Sequence, residues 1–324
     1  MDLQRAAVLL FDPVHVNLRT TRYALNEIGF KSIEACSAIE EFQRHLRENN
    51  WDMIVAECSS PKVDVFKLVR MIRRGEATPN PYAVIALTSW TRDGGHVRNA
   101  IESGADDVIV RPFSTQFAEE RIRTMIRNRK AFVVTSDYVG PDRRSGERAA
   151  SAKDSLIVPN TLQAKADGNE DQLREAYQGI REAKKQIEGE RIRRLAMRVV
   201  VTAELQFDSK AGPAKVFDPA DMMRTARELR DQLEQGGRYE AVQVAEALID
   251  HVRNFRNPEE RNVKNFRLAK ELAIGTFAAY ADGETLEKAK DEIASTVKAL
   301  RKRLSSAAPG SGVRDLPALK AASM

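Results

Sequence analysis

Asp12, Glu57, Thr88 and Arg111 each stand directly after a short apolar run: AVLLF, MIVA, VIAL and VIV. They are an acid, a second acid, a hydroxyl and a cation. Brought together, carboxylates can hold a divalent cation or act on an electrophile, and a hydroxyl beside a cation can hold anionic oxygens. Whether they meet depends on the four runs being strands of one sheet that end at one edge.

The first 130 residues do alternate short apolar runs with longer amphipathic stretches, as a parallel sheet covered by helices requires. Strands are expected at 7–11, 32–35, 53–56, 83–87 and 108–110, with helices near 15–28, 38–49, 64–74, 93–103 and 114–130. The runs are too apolar and too unalternating to face water on one side, so they read as parallel strands buried on both faces. Sites in such sheets lie outside the carboxyl ends of the strands, which is where the four residues fall.

The segments VLLFDP, DMIVAECSSPKVD, VIALTSW and GADDVIVRPF follow the order and separations of one known family. On these motifs residues 5–130 resemble the receiver domain of bacterial response regulators. The resemblance implies an α/β fold, a doubly wound, flavodoxin-like sheet of five parallel strands in the order 2-1-3-4-5. It further implies two acids after the first strand that hold magnesium, an aspartate after the third that accepts a phosphoryl group from a histidine kinase, and a Lys and a Ser/Thr that bind the product oxygens. Carried over by position, Asp12 keeps the first acid, Thr88 the hydroxyl, and Pro112-Phe113 the pair after the cation.

Four positions depart. Pro13 replaces the second acid and weakens any magnesium site, so no cofactor is expected. Glu57 stands at the phosphoacceptor position with one more methylene, which displaces the attacking oxygen in a geometry sensitive to about 1 Å. Arg111 replaces the lysine with a planar fork suited to a permanent carboxylate pair. Val108 replaces the aromatic that moves inwards on activation. The expectation is a degenerate receiver, a pseudo-receiver in which Glu57 extends towards Thr88 and Arg111 and fixes one conformation without kinase or metal. A relic ion pair on a scaffold that still binds partners, and retained phosphotransfer, stay open beside it.

The domain plan reads 1–130 receiver-like, 131–170 flexible linker, 171–306 helical bundle or interaction region, and 307–324 disordered tail. The linker rests on the Gly, Pro, Ser and Arg content of YVGPDRRSGERAASAKDS. Beyond it, Asp218-Pro219 and Asn257-Pro258 each pair a capping side chain with proline at a first helical position, and helices are expected at 219–235, 239–256, 258–281 and 284–306. His251 on one of them invites a phosphotransfer reading but lacks the residues that would follow it, so a structural histidine is expected. RIRRLAMR at 191–198 could touch nucleic acid or anionic lipid, but it is flanked by acids and reads as an ordinary charged helix face.

The 324 residues carry a net charge of +5 with a pI of about 9.1, but the opposite charges are interspersed almost throughout. A nucleic-acid partner is therefore not expected. No run approaches the roughly 18 apolar residues of a membrane span, so no membrane partner is expected either. Cys36 and Cys58, the only cysteines, read as reduced and packed in a cytoplasmic protein. The expected function is non-enzymatic two-component signalling through protein partners, a histidine kinase or signalling complex among them. The family's dimer surface adds a homodimer. The alternatives are a phosphorylatable regulator with an unfamiliar output, and a nucleic-acid-binding regulator.

Overall fold

A computed structural model describes residues 2–143, 155–206 and 217–281. Five parallel strands, β1 (Ala7–Phe11), β2 (Ser32–Cys36), β3 (Met53–Glu57), β4 (Val84–Ser89) and β5 (Asp107–Val110), form a sheet in the order β2-β1-β3-β4-β5. This is the expected doubly wound order. The inner strands β3 and β4 are buried throughout and β1 nearly so, whereas only Cys36 is buried in the edge strand β2.

Successive side chains of a strand go to opposite faces, and β1 shows both. Val8 and Leu10 pack with Leu18 and Leu25 of α1 (His15–Ile28) and with Ile122 and Ile126 of α5 (Thr115–Arg127). Leu9 and Phe11 pack with Phe42 and Leu46 of α2 (Ile39–Glu48), Leu68 and Ile72 of α3 (Val65–Arg73) and Ala100 of α4 (Gly94–Glu102). Three of these helices, α3, α4 and α5, start where a side chain caps them: Asp64 accepts from the Lys67 N–H, Asp93 from His96 and Ser114 from Phe117.

The segment expected as a flexible linker is structured in its described parts, a correction to the reading from composition. β6 (Phe132–Val134), β7 (Val139–Pro141) and β8 (Ser155–Leu156) form an antiparallel sheet in the order β7-β6-β8, and α6 (Thr161–Ala166) follows. Gly140 serves close approach here, since a Cβ on it would meet the Cα of Gly104 at 2.8 Å, and one on Gly104 would meet the Val139 carbonyl at 2.7 Å. The guanidinium groups of Arg73 and Arg129 both stand at the Phe132 ring, 5.1 and 5.2 Å from its centroid. Leu162 and Ala166 of α6 complete the core over Leu3 and Met53, and Lys165 pairs with Asp52 at 2.7 Å. Residues up to Gln186 thus form one compact unit.

The second unit begins at Ile187, within the long helix α7 (Glu170–Leu205). Its core joins Ile192, Leu195 and Val199 of α7 to Leu229 and Leu233 of α8 (Pro219–Gln235), Leu248 and Val252 of α9 (Tyr239–Arg253), and Phe266 and Phe277 of α10 (Val263–Tyr280). Asp218 caps α8 as expected, accepting from the Ala220 N–H. Asn257-Pro258 instead opens a single 3₁₀ turn, Pro258–Glu260, and α10 starts at Val263, capped by Asn262, whose side chain accepts from the Asn265 N–H. The helix expected at 284–306 and the tail at 307–324 lie outside the described residues. Among the described residues, no helix is long and apolar enough to cross a membrane.

Candidate functional site

Strand register gathers the four residues at one rim. Glu57 and Thr88 are partners across β3 and β4, and Asp12 follows Phe11, the partner of Ala56, which sets it level with Glu57. Arg111 follows Val110, and its N–H donates to the Ser89 carbonyl at 2.7 Å. All four are buried.

Their pairing differs from the expected one. The Arg111 guanidinium reaches past Glu57: its Nη2 lies 3.3 Å from Asp12 Oδ2 and donates to Thr21 Oγ1 of α1 at 2.6 Å. Its Nε is buried with no hydrogen-bond partner, and the rings of Trp90 and Phe113 stand 5.7 and 5.1 Å from its Cζ. Glu57 does not extend towards Thr88 and Arg111. Its extra methylene lets the carboxylate curl back onto the loop it precedes, where Oε1 accepts from the Ser59 N–H at 2.6 Å and Oε2 from Ser60 at 3.1 Å. Two adjacent backbone donors satisfy it locally.

Burial pushes the Asp12 carboxyl up from its ordinary range, against the opposing pull of the Val14 N–H and of Arg111. Burial likewise pulls the Arg111 guanidinium down, with Asp12 and Glu57 opposing. The magnesium ion that the resemblance implies does not fit this donor set. The second acid is Pro13, Asp12 Oδ1 already accepts from Val14 at 2.9 Å, Oδ2 faces a fixed guanidinium, and both Glu57 oxygens are engaged. A near-octahedral ion that needs oxygens at about 2.0–2.1 Å would have to displace the guanidinium.

Thr21 was not among the residues singled out from sequence, although it carried a signal. It sits with Leu18 and Leu25 on the buried face of α1, a hydroxyl where the helical period calls for an apolar side chain. Thr21→Val keeps the shape and removes the acceptor, leaving a buried guanidinium N–H unpaired. It is expected to lower stability by about 1–3 kcal/mol, measurable by urea unfolding.

Two further contacts close the rim. Ser59 Oγ lies 3.0 Å from Ser89 Oγ and accepts from the Trp90 N–H at 2.8 Å, which joins the loop after β3 to the loop after β4. Cys58 Sγ lies 3.5 Å from His96 Nε2, but burial, with the charge of Glu57 behind it, pushes the thiol up to about 12. It stays protonated and is a poor nucleophile. Val108 is a half-buried strand residue at the margin of the core.

In the second unit the charged run at 191–198 spends its cations on acids of this unit. Arg191 and Arg198 are buried, paired with Glu228 and with Asp221 at 2.8 Å, while Arg193 and Arg194 both reach Glu190 at 2.6 Å. His251 Nε2 lies 2.8 Å from the Asn265 carbonyl, which can only accept, so that nitrogen carries the proton. The ring stands edge-on to Phe255, 5.5 Å between centroids.

Comparison with known proteins bears on residues 8–127 of the first unit. Residues 8–127 match the family model of the response regulator receiver domain, and no family model matches the C-terminal half. The chain is 32% identical over 124 residues to the uncharacterized transcriptional regulatory protein YclJ of Bacillus subtilis, covering 38% of this chain and 52% of that one. It is 30% identical over 142 residues to the transcriptional regulatory protein AfsQ1 of Streptomyces coelicolor, covering 43% and 60%. The match therefore spans little more than half of each relative. A signal receiver domain of a two-component histidine kinase from Clostridium thermocellum superposes with a TM-score of 0.34 at 17% identity, over 38% of this chain and 98% of that chain.

Proposed function

We propose that this chain, whose residues 8–127 are a receiver domain of the two-component type, signals without phosphoryl transfer: the receiver presents one fixed surface to a protein partner, and the helical unit carries the output. The observation that supports the reading is the course of Arg111, whose guanidinium ties β5 to Asp12 and to Thr21 of α1. A receiver that responds to phosphorylation needs its cation and its acceptor carboxylate available to the incoming phosphoryl oxygens. Here the cation is committed to a carboxylate and a hydroxyl, and the acceptor position is closed on two amides.

Transcriptional regulation, the role named for both relatives, is the reading set against it. The basic run of the helical unit turns Arg191 and Arg198 into internal ion pairs with Glu228 and Asp221, so those cations do not face a phosphate backbone. The test is to incubate the full chain with acetyl phosphate and magnesium. Intact-protein mass is expected to stay unchanged, and so is the emission of Trp90, which is exposed and stands over Arg111. A hydroxylamine-labile phosphate on Asp12 or Glu57 would overturn the proposal.

A further inference from the structure

We propose that Glu34, Cys36 and His45 form a binding site for a divalent transition metal of the zinc type, on the opposite sheet edge from Arg111. Glu34 and Cys36 are two apart on β2 and so share one face of the strand. That face packs against α2, since Cys36 shares a core with Phe42 and Leu46. His45 comes from α2 directly before Leu46 and is half-buried. One ligand atom from each of the three lies within 4.8 Å of the other two, and among the described residues this is the group of such side chains so arranged.

The donor chemistry selects the ion. Burial pushes the free Cys36 thiol up to about 11, so a bound ion must displace its proton; the resulting thiolate and an imidazole favour zinc and its neighbours over magnesium or calcium, which take all-oxygen shells. Zn–S of about 2.3 Å and Zn–N of about 2.0 Å put tetrahedral ligand atoms roughly 3.5 Å apart, so from separations within 4.8 Å no pair has to close by much more than about an ångström. Cys36 is fully buried and stays put, whereas Glu34 is exposed and His45 half-buried, which leaves them free to close on it. Three protein ligands leave a fourth position for water, as in open zinc sites. Arg44 Nη2, 3.4 Å from His45 Nε2, sets an opposing charge against the ring, and its exposed side chain has Glu48 at 3.8 Å to turn towards.

An ion held there would pin β2, an edge strand of the parallel sheet among the described residues, to the helix that covers it. A reporter is in place. The Trp51 indole donates to the His45 carbonyl at 2.9 Å, and its ring centroid is 6.4 Å from the imidazole.

The experiment titrates the full chain with cobalt(II) and then zinc(II). Cobalt is expected to give a thiolate charge-transfer band that saturates stoichiometrically, disappears on adding zinc, and is accompanied by a change in Trp51 emission. Cys36→Ser should abolish the band. His45→Gln and the surface change Glu34→Gln, with unchanged circular dichroism, should weaken binding by at least about tenfold, the loss that even an outer-shell partner causes. Arg44→Gln should tighten it. No band in the wild-type chain would overturn the proposal. So would a band that survives Cys36→Ser and is lost in Cys58→Ser, which would place the metal on Cys58 and His96.

Discussion

Asp106→Asn is expected to lower the stability of the first unit by about 3–5 kcal/mol, the cost of breaking a buried ion pair from one side. Asp106 is 4% exposed and sits between two guanidinium groups, with Arg73 Nη2 at 2.6 Å and Arg129 Nε at 3.0 Å. The asparagine would leave two buried cations facing a neutral amide. Arg73 also donates to the carbonyls of Gly104, Pro81 and Ala83, and Arg129 to those of Tyr82 and Ala83. Both stack on Phe132, so loss of the carboxylate should also loosen β6–β8 from the parallel sheet. Burial alone would raise the Asp106 carboxyl, but Arg129 and Arg73 outweigh it and hold it below the usual carboxylate range. A depressed folded value contributes stability above the unfolded pKa of about 3.9, and that contribution is lost as pH falls through the folded one. The deficit of the variant should therefore be full at neutral pH and shrink on acidification. Asp107→Asn is the control. Asp107 pairs with the half-exposed Arg121, and its loss should cost about 1 kcal/mol or less. Urea unfolding of both variants checks this, and equal losses would show that the network is not what holds the base of the sheet.

What could be read in the sequence, and what could not, follows from the range of the forces involved. The strands were legible because burial on both faces removes alternation, which leaves runs such as AVLLF and VIAL unmistakable. Their ends located Asp12, Glu57, Thr88 and Arg111 at one rim, because parallel register is nearly level. Which of these side chains would bond was not legible. The choice between Glu57 and Asp12 for Arg111 turned on two amides of the next loop and a threonine on another helix. Composition misleads over 131–170 for a related reason. Gly140 and Arg143 look like linker composition, yet one admits the Gly104 backbone and the other donates to the carbonyls of Ala105 and Asp106. Composition does not separate a glycine that frees the chain from one that lets two chains touch. Arg191 and Arg198 were likewise hidden, since their acidic partners stand 37 and 23 residues away.

The same geometry makes a strong claim about repair. The triple variant Pro13→Asp, Glu57→Asp and Arg111→Lys is expected to take up a phosphoryl group from acetyl phosphate in the presence of magnesium, where the wild-type chain is expected to take none. Each change removes a separate obstacle. Aspartate at 13 adds the missing carboxylate beside Asp12, so that two acids converge on a cation. Shortening residue 57 draws its carboxylate back from the Ser59 and Ser60 amides, to the distance at which an in-line attack is sensitive to about 1 Å. Lysine at 111 replaces a fork that spans Asp12 and Thr21 with a compact charge able to pair with product oxygens. Because Arg111 is tied to Asp12 whatever stands at 57, Glu57→Asp alone is expected to remain unlabelled. Losing the Thr21 bond should cost the triple variant about 1–3 kcal/mol, which a folded domain with an intact sheet can absorb. Intact-protein mass with and without hydroxylamine measures the label, and Trp90 emission reports magnesium entry. If Glu57→Asp is labelled as fully as the triple variant, acceptor length is the whole obstacle. The clamp of Arg111 on Asp12 and Thr21 would then be a consequence of the silent site and not its cause.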